Sequence, residues 1–507
     1  MKRVAIILLL LLAAFVPRPT EQVSIRVASK KFTESVILGE MFRILAEDSG
    51  ASVGHLRELG GTRIVFEALK SGEVDVYAEY TGTLINELFA DRDISGIEQL
   101  RTELEQLGLR MSEPLGFNNT YALGMLPDRA ASDQIRSISD LNRVSGLRFG
   151  LGSEFIERSD GWPGLRSTYG LNPLQVNGLD HDIAFRQLQL GLIDVMDVYT
   201  TEARIDALNL TVLEDDRNYF PRYDAVILYR ADFADQYSDA VRNILKLQGQ
   251  IAAAEMTSCN RRVEIDSITE QQVAADFIEQ TLGISSEVSD PGRLKRITDS
   301  TLDHLELVRR SLLPAILFAI PLGILAAKSR WFGQFILGVT GIFQTIPSFA
   351  LLVLLIPVVA KLGLQSIGAG ASTAMIALFL YSLLPIVRNT QSGLTGIDNA
   401  LKESASVLNL PARYRLLEIE LPLASPSILA GIKTAAVLNI GFATLGALVG
   451  AGGYGQPILS GIRLNDTNLI LEGAIPAALL ALMTQAAFEL IERYAVPKGV
   501  RLQSSSR

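Results

Sequence analysis

Long stretches without a charged side chain follow residue 300 and restrict the fold of this chain more than any other feature. Five of them occupy residues 311–327, 332–360, 362–387, 434–462 and 473–488. A helix rises about 1.5 Å per residue, so about 20 apolar residues are needed to cross the hydrocarbon core of a bilayer. The middle three stretches exceed that length, and the first and last reach it when their flanking residues are included. The sequence therefore predicts an all-α membrane domain of about five transmembrane helices.

Lysine and arginine residues are unevenly distributed around these stretches. They follow the first, the third and the fifth stretch, at Lys328, Arg330, residues 388–415 and residues 493–507. Basic residues favour the cytoplasmic side of a membrane. We therefore expect a multi-pass protein of the cytoplasmic (inner) membrane, whose first helix begins outside the cytoplasm and whose fifth helix ends inside it. The arginine pair at 309–310 opposes this orientation unless both side chains extend to the outer interface.

The N-terminal residues have the composition of an export signal. Two basic residues precede an apolar run over residues 4–16, which Pro17 and Pro19 end. A charged start and a short apolar run are typical of a secretory signal, and this run is too short to span a bilayer comfortably. Residues 1–22 are therefore predicted to be a signal peptide or an N-terminal anchor. Either one places the following residues outside the cytoplasm, in agreement with the distribution of basic residues.

Residues 23–288 show a different pattern, in which short apolar runs alternate with amphipathic helical stretches. Runs typical of strands occupy residues 24–28, 74–77, 147–150, 195–198 and 225–229, and a helical stretch covers residues 34–47. Alternation of this kind is typical of an α/β domain. A stretch of roughly 260 residues exceeds one ordinary compact unit, so we expect two lobes. The cleft between two lobes is the default place for a ligand.

The composition argues against several kinds of chemistry. Cys259 is the only cysteine, and the three histidines show no spacing typical of zinc sites, so we expect no disulfide, no metal site and no redox cofactor. The net charge is -9, and no cluster of basic and aromatic residues indicates a nucleic-acid partner. His181 lies beside Asp180 and Asp182, but no nucleophile accompanies it, so a solvated side chain is favoured over a catalytic one. The chain is predicted not to be an enzyme.

The charged loop at residues 398–422 contains a recognisable arrangement of side chains. The arrangement consists of Glu403, Ala405, Asn409, Leu421 and Pro422. It resembles the coupling loop of ATP-binding-cassette (ABC) importer permeases, in which a Glu-Ala-Ala segment is followed by a glycine and a Leu-Pro pair. Asn409 stands at the glycine position, where it also tolerates left-handed geometry. The resemblance implies that this cytoplasmic loop binds a partner ATPase, with Leu416 as an apolar contact. A helix lying on the membrane surface is the alternative.

Three more segments of the second half are similar to one group of these permeases. They read Gln-Thr-Ile-Pro-Ser at 344–348, Leu-Leu-Pro-Ile-Val-Arg-Asn-Thr at 383–390 and Gly-Ala-Gly-Gly-Tyr-Gly at 450–455. Together they resemble the permease subunits of osmoprotectant importers, which carry glycine betaine, carnitine or choline. The last segment also fits the dinucleotide-binding pattern GxGxxG, but it follows a membrane helix rather than a strand, which disfavours a nucleotide site. The resemblance implies a type I ABC importer permease domain at residues 305–497.

Six segments spread over the N-terminal domain carry a second resemblance. They lie at residues 29–34, 59–62, 79–83, 118–121, 160–162 and 197–201. They are similar to segments of the quaternary-amine-binding proteins that serve osmoprotectant importers. The resemblance implies a two-lobed periplasmic-binding-protein-like domain at residues 23–288, which a linker at 289–304 joins to the permease domain. Receptor and permease are therefore expected to be fused in one chain.

A quaternary ammonium group has no N–H to donate, so the faces of aromatic rings must hold it. Cation–π contacts contribute about 0.5 to 2 kcal/mol each, so several rings are needed. The matched segments and their neighbours supply rings for such a cage, namely Tyr80, Tyr121, Tyr199, Tyr223 and Phe32. Donors for a ligand carboxylate are expected from Thr62, Thr81 and Asn119. Arg63 is expected either to bind the same carboxylate or to pair with Glu67. For each aromatic ring, the alternative to a place in the cage is a half-buried position in the core.

Transport driven by a separate ATPase is the function that these features imply. The motif GxxxxGK[ST] is absent, so ATP is expected to be used by a partner subunit and no cofactor is expected in this chain. Five helices line half of a path, so we expect a homodimer of this chain with two ATPase subunits. The implied substrate is glycine betaine, choline, carnitine or another quaternary ammonium compound, with ergothioneine as an alternative. A ligand-sensing membrane receptor without transport is the alternative from another class.

Overall fold

The computed structural model describes residues 24–92, 94–286, 292–362, 369–464 and 466–495. The predicted signal peptide or anchor, residues 1–22, lies outside the described residues. The described residues form two compact units, one made mainly of residues 24–286 and the other mainly of residues 292–495.

Ten strands form the sheets among the described residues of the first unit. They are β1 (Ile25–Lys30), β2 (Val53–Gly60), β3 (Val76–Tyr80), β4 (Leu109–Met111), β5 (Tyr121–Met125), β6 (Arg148–Gly152), β7 (Gln175–Leu179), β8 (Met196–Tyr199), β9 (Thr211–Val212) and β10 (Ala225–Arg230). The five-stranded sheet has the order β2-β1-β3-β10-β4, in which β1 is parallel to β2 and β3 and β10 is antiparallel to its neighbours. The other strands form an antiparallel sheet of order β8-β5-β9 and the parallel pair β6-β7.

Helices are interleaved with these strands along the chain. They are α1 (Thr33–Glu47), α2 (Thr62–Lys70), α3 (Thr81–Thr83), α4 (Ile97–Gln106), α5 (Pro127–Ser132), α6 (Ser153–Glu157), α7 (Trp162–Tyr169), α8 (His181–Gln189), α9 (Ala203–Ala207), α10 (Ala231–Gln236), α11 (Ser238–Ile244), α12 (Ala253–Glu264) and α13 (Glu270–Leu282). The chain leaves the five-stranded sheet after β4 and returns to it at β10. The first unit is therefore a two-lobed α/β domain, as the sequence predicts.

The five-stranded sheet carries an apolar core on each of its two faces. Successive side chains of a strand point to opposite faces of the sheet. Val27 and Val76 accordingly belong to the core that also contains the apolar side of α1, whereas Ala28 and Tyr77 belong to the core on the other face. Because both faces are covered, all five residues of the central strand β3 are buried.

The described residues from 292 onward form helices. They are α14 (Gly292–Lys328), α15 (Arg330–Thr345), α16 (Ser348–Lys361), α17 (Ala369–Thr395), α18 (Asn399–Val407), α19 (Ala412–Tyr414), α20 (Leu421–Ala443), α21 (Gly455–Arg463) and α22 (Thr467–Ala495). Within the described part of the chain, 4 helical stretches are long and apolar enough to cross a membrane, and a bent pair of helices makes up to 5. The second half is thus an α-helical domain, and its 4 to 5 candidate spans agree with the prediction of about five.

The second predicted membrane helix, residues 332–360, is broken near its middle. Helix α15 ends at Thr345, helix α16 begins at Ser348, and the two axes differ by 102°. Pro347 lies at the break. Proline removes a backbone donor and disfavours helical geometry in the residue before it. Ile346 accordingly has φ -74° and ψ 127°, which is an extended conformation.

The fourth predicted helix, residues 434–462, is displaced in the structure. Helix α20 begins earlier, at Leu421, because the single charged side chain of Lys433 does not end a helix. After a 3-10 helix over Thr444–Val449, three glycines between residues 450 and 453 adopt φ values of 73°, 74° and 74°. This left-handed geometry ends the helix. The charge-free stretch therefore contains the end of one helix, a turn and the separate helix α21.

The beginning of α14 includes residues that the sequence assigns to the linker. Residues 292–304 form the first turns of this helix rather than an irregular connection. The arginines at 309 and 310 both pair with Glu306 on the same helix. A nearby carboxylate therefore accompanies the two positive charges that opposed the predicted orientation.

A polar contact joins three helices of the second unit. The Asn439 side chain of α20 donates a hydrogen bond to Ser311 Oγ of α14 at 3.2 Å and accepts one from Ser382 Oγ of α17 at 3.1 Å. All three residues are buried. Hydrogen bonds between helices in apolar surroundings contribute about 0.6 to 2 kcal/mol, so this contact helps fix the packing of α14, α17 and α20.

Candidate ligand-binding site

A cavity of about 300 Å³ opens in the two-lobed unit. Both lobes contribute to its walls. Seven of the eight residues predicted to contact ligand line this cavity, namely Phe32, Thr62, Tyr80, Asn119, Tyr121, Tyr199 and Tyr223. Cavities of this size hold small organic ligands. The fold thus brings residues that are far apart in the sequence into one concave site.

The five predicted aromatic rings form a continuous set around the cavity. The Tyr121 ring centroid lies 5.0 Å from that of Tyr199 and 5.6 Å from that of Tyr223. The Phe32 ring links Tyr199 to Tyr80, at centroid distances of 6.0 Å and 6.1 Å. The five rings therefore lie next to one another along one cavity instead of in separate cores.

The strands place these rings through their register. Tyr121 begins β5 and lies directly opposite Tyr199 at the end of antiparallel β8, which explains the short distance between their rings. Tyr80 ends β3, and Tyr223 lies just before β10. The Tyr223 hydroxyl donates a hydrogen bond to Asp160 Oδ2 at 2.6 Å. Each of the four tyrosine rings therefore lies at or beside a strand end, and the Tyr223 hydroxyl has a fixed partner as well.

Glu34 is a buried carboxylate behind the aromatic wall. Its Oε1 accepts hydrogen bonds from the Tyr80 hydroxyl at 2.5 Å and from Asn119 Nδ2 at 2.9 Å. Its Oε2 accepts hydrogen bonds from Thr201 Oγ1 at 2.6 Å and from Asn260 Nδ2 at 3.2 Å. Burial raises the pKa of Glu34 above its usual range, although the four hydrogen bonds act in the opposite direction. This carboxylate therefore orients the Tyr80 ring and accepts a hydrogen bond from the side-chain amide of Asn119.

Arg158 provides a buried positive charge beside the rings. Its guanidinium carbon lies 5.7 Å from the Tyr121 ring centroid and 6.0 Å from the Tyr223 ring centroid. The same group pairs with Glu87 and with Asp160, so its charge is balanced. Its Nε and Nη2 donate to the two carboxylate oxygens of Asp160 and its Nη1 donates to Glu87, so these contacts fix the plane of the guanidinium. Arg158 was not among the residues predicted from the sequence.

Two lysines extend the positive side of the cavity. Lys30 Nζ pairs with the buried carboxylate of Glu79 and donates a hydrogen bond to Thr62 Oγ1 at 3.2 Å. Lys31 also lines the cavity, and burial lowers its pKa although neighbouring carboxylates raise it. The carboxylates that line other parts of the cavity are Glu154, Asp180, Asp182, Asp197, Glu202 and Glu264. The site therefore offers both signs of charge, as a zwitterionic ligand requires.

Two residues proposed from the sequence lie elsewhere. Thr81 is not among the residues that line the cavity, because its hydroxyl is used by the backbone: it accepts from the Asp224 N–H at 3.0 Å. Arg63 is largely exposed, and its Nε lies 3.4 Å from Glu87 Oε1. Thr81 thus helps hold the connection between β3 and β10.

Several residues of the site carry no signal in the sequence that identifies their roles. The Phe155 ring centroid lies 4.9 Å from that of Tyr121, with the planes at 45°, and Arg158 precedes the matched segment at 160–162 by two residues. Glu34 does fall in a matched segment, which was the one usable signal. His181 was expected to be solvated, whereas it lines the cavity and contacts Glu202.

The segment with the predicted coupling residues forms a short helix and a turn. Helix α18 contains Glu403, which is exposed, and Ala405, which is buried. Asn409 follows with φ 50°, the left-handed conformation that the glycine of the family motif suits. Leu416 lies in a π-helix over Arg415–Glu420, and the last two predicted residues, Leu421 and Pro422, begin α20. Exposed apolar side chains accompany the turn, namely Leu401, Val407, Leu408 and Tyr414.

A metal centre requires several nitrogen, sulfur or oxygen ligands close together. No group of three or more His, Cys, Asp or Glu side chains is arranged to hold a metal ion within the part of the chain that the structure describes. Cys259 is buried, and burial raises the pKa of its thiol to about 11. A thiol in that state is a poor nucleophile at neutral pH.

Two family models match the chain. The model "Substrate binding domain of ABC-type glycine betaine transport system" matches residues 23–280. The model "Binding-protein-dependent transport system inner membrane component" matches residues 319–498. The first match covers the two-lobed unit, and the second covers most of the helical part.

Curated proteins show the same two similarities. The osmoprotectant import permease protein OsmW of Salmonella typhimurium is 38% identical over 201 residues, which are 40% of this chain and 92% of that protein. The ergothioneine transport permease/ergothioneine binding protein EgtU of Helicobacter pylori is 34% identical over 287 residues, which are 54% of this chain and 52% of that protein. Among solved structures, a glycine betaine/carnitine/choline ABC transporter chain has 26% identity and a TM-score of 0.43, covering 51% of this chain and 98% of its own.

Proposed function

The chain belongs to the family of ABC-type glycine betaine substrate-binding domains and carries an importer membrane component in the same polypeptide, and we propose that it binds and carries quaternary ammonium compounds. In this proposal the chain is both the receptor and the permease subunit of an ATP-driven importer. Glycine betaine, choline and carnitine are the candidate substrates. The single observation that carries the proposal is the set of five rings around one cavity.

The proposed ligand pose follows from the distribution of charge. The trimethylammonium head lies against Tyr80, Tyr121 and Tyr199, because ring faces attract a cation that has no N–H to donate. A ligand carboxylate, where there is one, lies toward Arg158 and Lys31. Choline lacks a carboxylate, so it uses the aromatic contacts alone.

Ergothioneine is a second candidate substrate. It carries a trimethylammonium group next to a carboxylate, so the same cavity residues suit it. The specific observation in its favour is the similarity to EgtU, whose name describes a permease and a binding protein together. The receptor without transport remains the alternative from another class, and a transport assay separates it from the proposal.

The proposed transport cycle assigns ATP hydrolysis to a partner. A partner ATPase binds the segment at 398–422 on the cytoplasmic side, with Glu403 and Leu416 among the contacts. Two copies of this chain and two ATPase subunits form the working transporter in the cytoplasmic membrane. The two-lobed unit lies outside the cytoplasm, where residues 1–22 direct it. Ligand closes the two lobes, and ATP hydrolysis then drives the release of ligand through the permease.

The test is transport by the full chain and its ATPase in proteoliposomes. Labelled glycine betaine, choline, carnitine and ergothioneine are offered one at a time, with and without ATP on the ATPase side. The proposal expects ATP-dependent accumulation of at least one of them. Binding without accumulation would support the receptor instead, and accumulation without ATP would contradict the coupling to an ATPase.

A further inference from the structure

His181 is held at the edge of the cavity by two carboxylates. It begins helix α8, and 23% of its side chain is exposed. Its Nε2 lies 2.7 Å from Glu202 Oε1, and its Nδ1 lies 3.6 Å from Asp197 Oδ2. Both carboxylates come from the region of β8, so the histidine joins the start of α8 to the end of that strand.

The same histidine contacts Tyr199 in two independent ways. The two ring centroids are 4.9 Å apart with planes at 47°. Glu202, which binds His181 through one oxygen, accepts the Tyr199 backbone N–H through its other oxygen at 3.0 Å. His181 therefore contacts the Tyr199 ring directly and the Tyr199 backbone through Glu202. We call these contacts among His181, Glu202, Asp197 and Tyr199 the brace.

The charges around His181 favour its protonated form. Burial lowers the pKa of the imidazole, but the Glu202 and Asp197 carboxylates raise it well above its usual range. On its own helix, Asp180 accepts the Asp182 N–H, and Asp182 pairs with Arg204 at 2.7 Å. A protonated ring keeps a charge-assisted hydrogen bond to Glu202, which is stronger than a neutral one.

The neighbours on the remaining sides leave the imidazole little freedom. The Phe185 ring of α8 meets it edge-on at a centroid distance of 5.3 Å. Asp197 is itself held, because its Oδ1 accepts the Gly152 N–H at 2.6 Å. The brace thus connects β6, β8 and α8 to one wall of the cavity.

We propose that His181 is a positioning residue that fixes the Tyr199 wall and thereby makes the cavity select fully methylated ammonium heads. The inference rests on the proposed function, since it presupposes a cation held by rings. A ring fixed at one distance contacts all methyl groups of a trimethylammonium head. A loose ring loses that contact, whereas a partly methylated head retains an N–H that binds a carboxylate or water. Loosening the brace therefore lowers the preference for the trimethylated ligand.

Three variants separate the two contacts of the brace. His181→Phe keeps a ring beside Tyr199 but removes the donor to Glu202. His181→Gln keeps a donor but removes the ring and the charge. Tyr199→Ala removes the wall itself. For each variant, the affinities for glycine betaine and for dimethylglycine, which lacks one methyl group, are measured by titration of the full chain in lipid nanodiscs.

For the wild type we expect tighter binding of glycine betaine than of dimethylglycine. His181→Phe lowers that ratio by about tenfold, and His181→Gln lowers it less because it retains the donor. In a Tyr199→Ala background, His181→Phe has little further effect, since both changes act on one wall. The affinity of the wild type for glycine betaine falls as the pH rises through the pKa of the imidazolium, and that of His181→Gln does not.

Different results overturn different claims. An unchanged ratio in His181→Phe, or effects of His181→Phe and Tyr199→Ala that simply add, contradicts the positioning role while leaving the proposed function intact. A wild-type chain that binds no quaternary ammonium compound contradicts the proposed function itself. Thermal unfolding of each variant is recorded alongside, and a variant that loses its cooperative transition is replaced by Glu202→Gln, which breaks the same brace from its other side.

Discussion

Glu34 accepts four hydrogen bonds through one buried carboxylate, and its partners come from distant parts of the chain. Tyr80 and Asn119 bind one oxygen, and Thr201 and Asn260 bind the other. In Glu34→Gln, the amide nitrogen cannot accept, so two of these donors lose their acceptor inside the protein. We expect the free energy of unfolding to fall by about 2 kcal/mol or more, measured by denaturant unfolding of the full chain.

The matched control for this change is Glu157→Gln, which alters an exposed glutamate of the same domain. Surface substitutions away from specific contacts change stability by about 0.5 kcal/mol or less. Equal stability losses in the two variants would show that the four hydrogen bonds around Glu34 do not hold the site together.

The buried side chain of Glu73 should make the free energy of unfolding depend on pH. Its side chain is buried, and neither carboxylate oxygen has a hydrogen-bond partner among the described residues. Burial raises the pKa of Glu73 to about 7, against the influence of Arg26. The folded chain then keeps this proton to higher pH than the unfolded chain, so the stability falls as the pH rises from about 4.5 to about 7.

Removing that carboxyl tests the prediction. Glu73→Gln imitates the protonated form at every pH, so its melting temperature exceeds that of the wild type at pH 8 and is similar to it at pH 5. Glu105→Gln, at an exposed position, shifts neither value. A Glu73→Gln variant that is no more stable than the wild type at pH 8 would show that the buried carboxyl carries no such penalty.

The sequence predicts residue types at the site better than it predicts contacts. A cation without N–H groups requires aromatic rings, so Tyr121 and Tyr199 could be selected by type and by the segments that contain them. The role of Glu34 could not be predicted, because its contact with Asn260 spans 226 positions. The pairing of Arg158 with Glu87 likewise depends on how two lobes of one domain meet, which no local pattern contains.

At the scale of elements, the turn after helix α18 carries a backbone constraint. Asn409 has φ 50°, a conformation that glycine adopts freely and β-branched residues resist. We expect Asn409→Val to strain the turn by about 1 kcal/mol or more and to lower ATP-dependent transport. Asn409→Gly removes the same amide without the strain and keeps transport near the wild-type rate. Equal losses in both variants would assign the effect to the amide instead of the turn.

One strand that the sequence analysis did not predict, β2, was missed for a physical reason. β2 contains His55, Arg57 and Glu58 and is half exposed along much of its length, so it shows no apolar run. It lies at the edge of the five-stranded sheet, where charged side chains are common. In contrast, β3 and β10 are central and buried, and their apolar runs were predicted.

The fourth predicted membrane helix was displaced for another reason. A stretch without charges, such as residues 434–462, marks apolar surroundings but not helix ends. Here the ends are set by Leu421 at the start of α20 and by left-handed glycines after residue 449. A pattern based on charge therefore predicts how many spans exist more reliably than where each begins.

At the scale of the whole molecule, one chain joins a two-lobed α/β domain to a helical membrane domain. Composition and family motifs predicted this division, because the two parts face different solvents and therefore differ in charge. The choice among quaternary ammonium compounds depends on distances within the cavity. These distances cannot be predicted from the sequence. Ligand recognition is accordingly attributed to the cavity, where ring faces attract a positive charge.

Binding of choline and of 3,3-dimethylbutanol to the full chain in nanodiscs tests that claim most directly. The second compound replaces the trimethylammonium nitrogen by carbon, so the two have nearly the same shape and differ in charge. With several rings each contributing about 0.5 to 2 kcal/mol, calorimetric titration should show choline binding at least about tenfold more tightly, and Tyr199→Ala should reduce that difference. Equal affinities for the charged and the neutral compound would contradict the account.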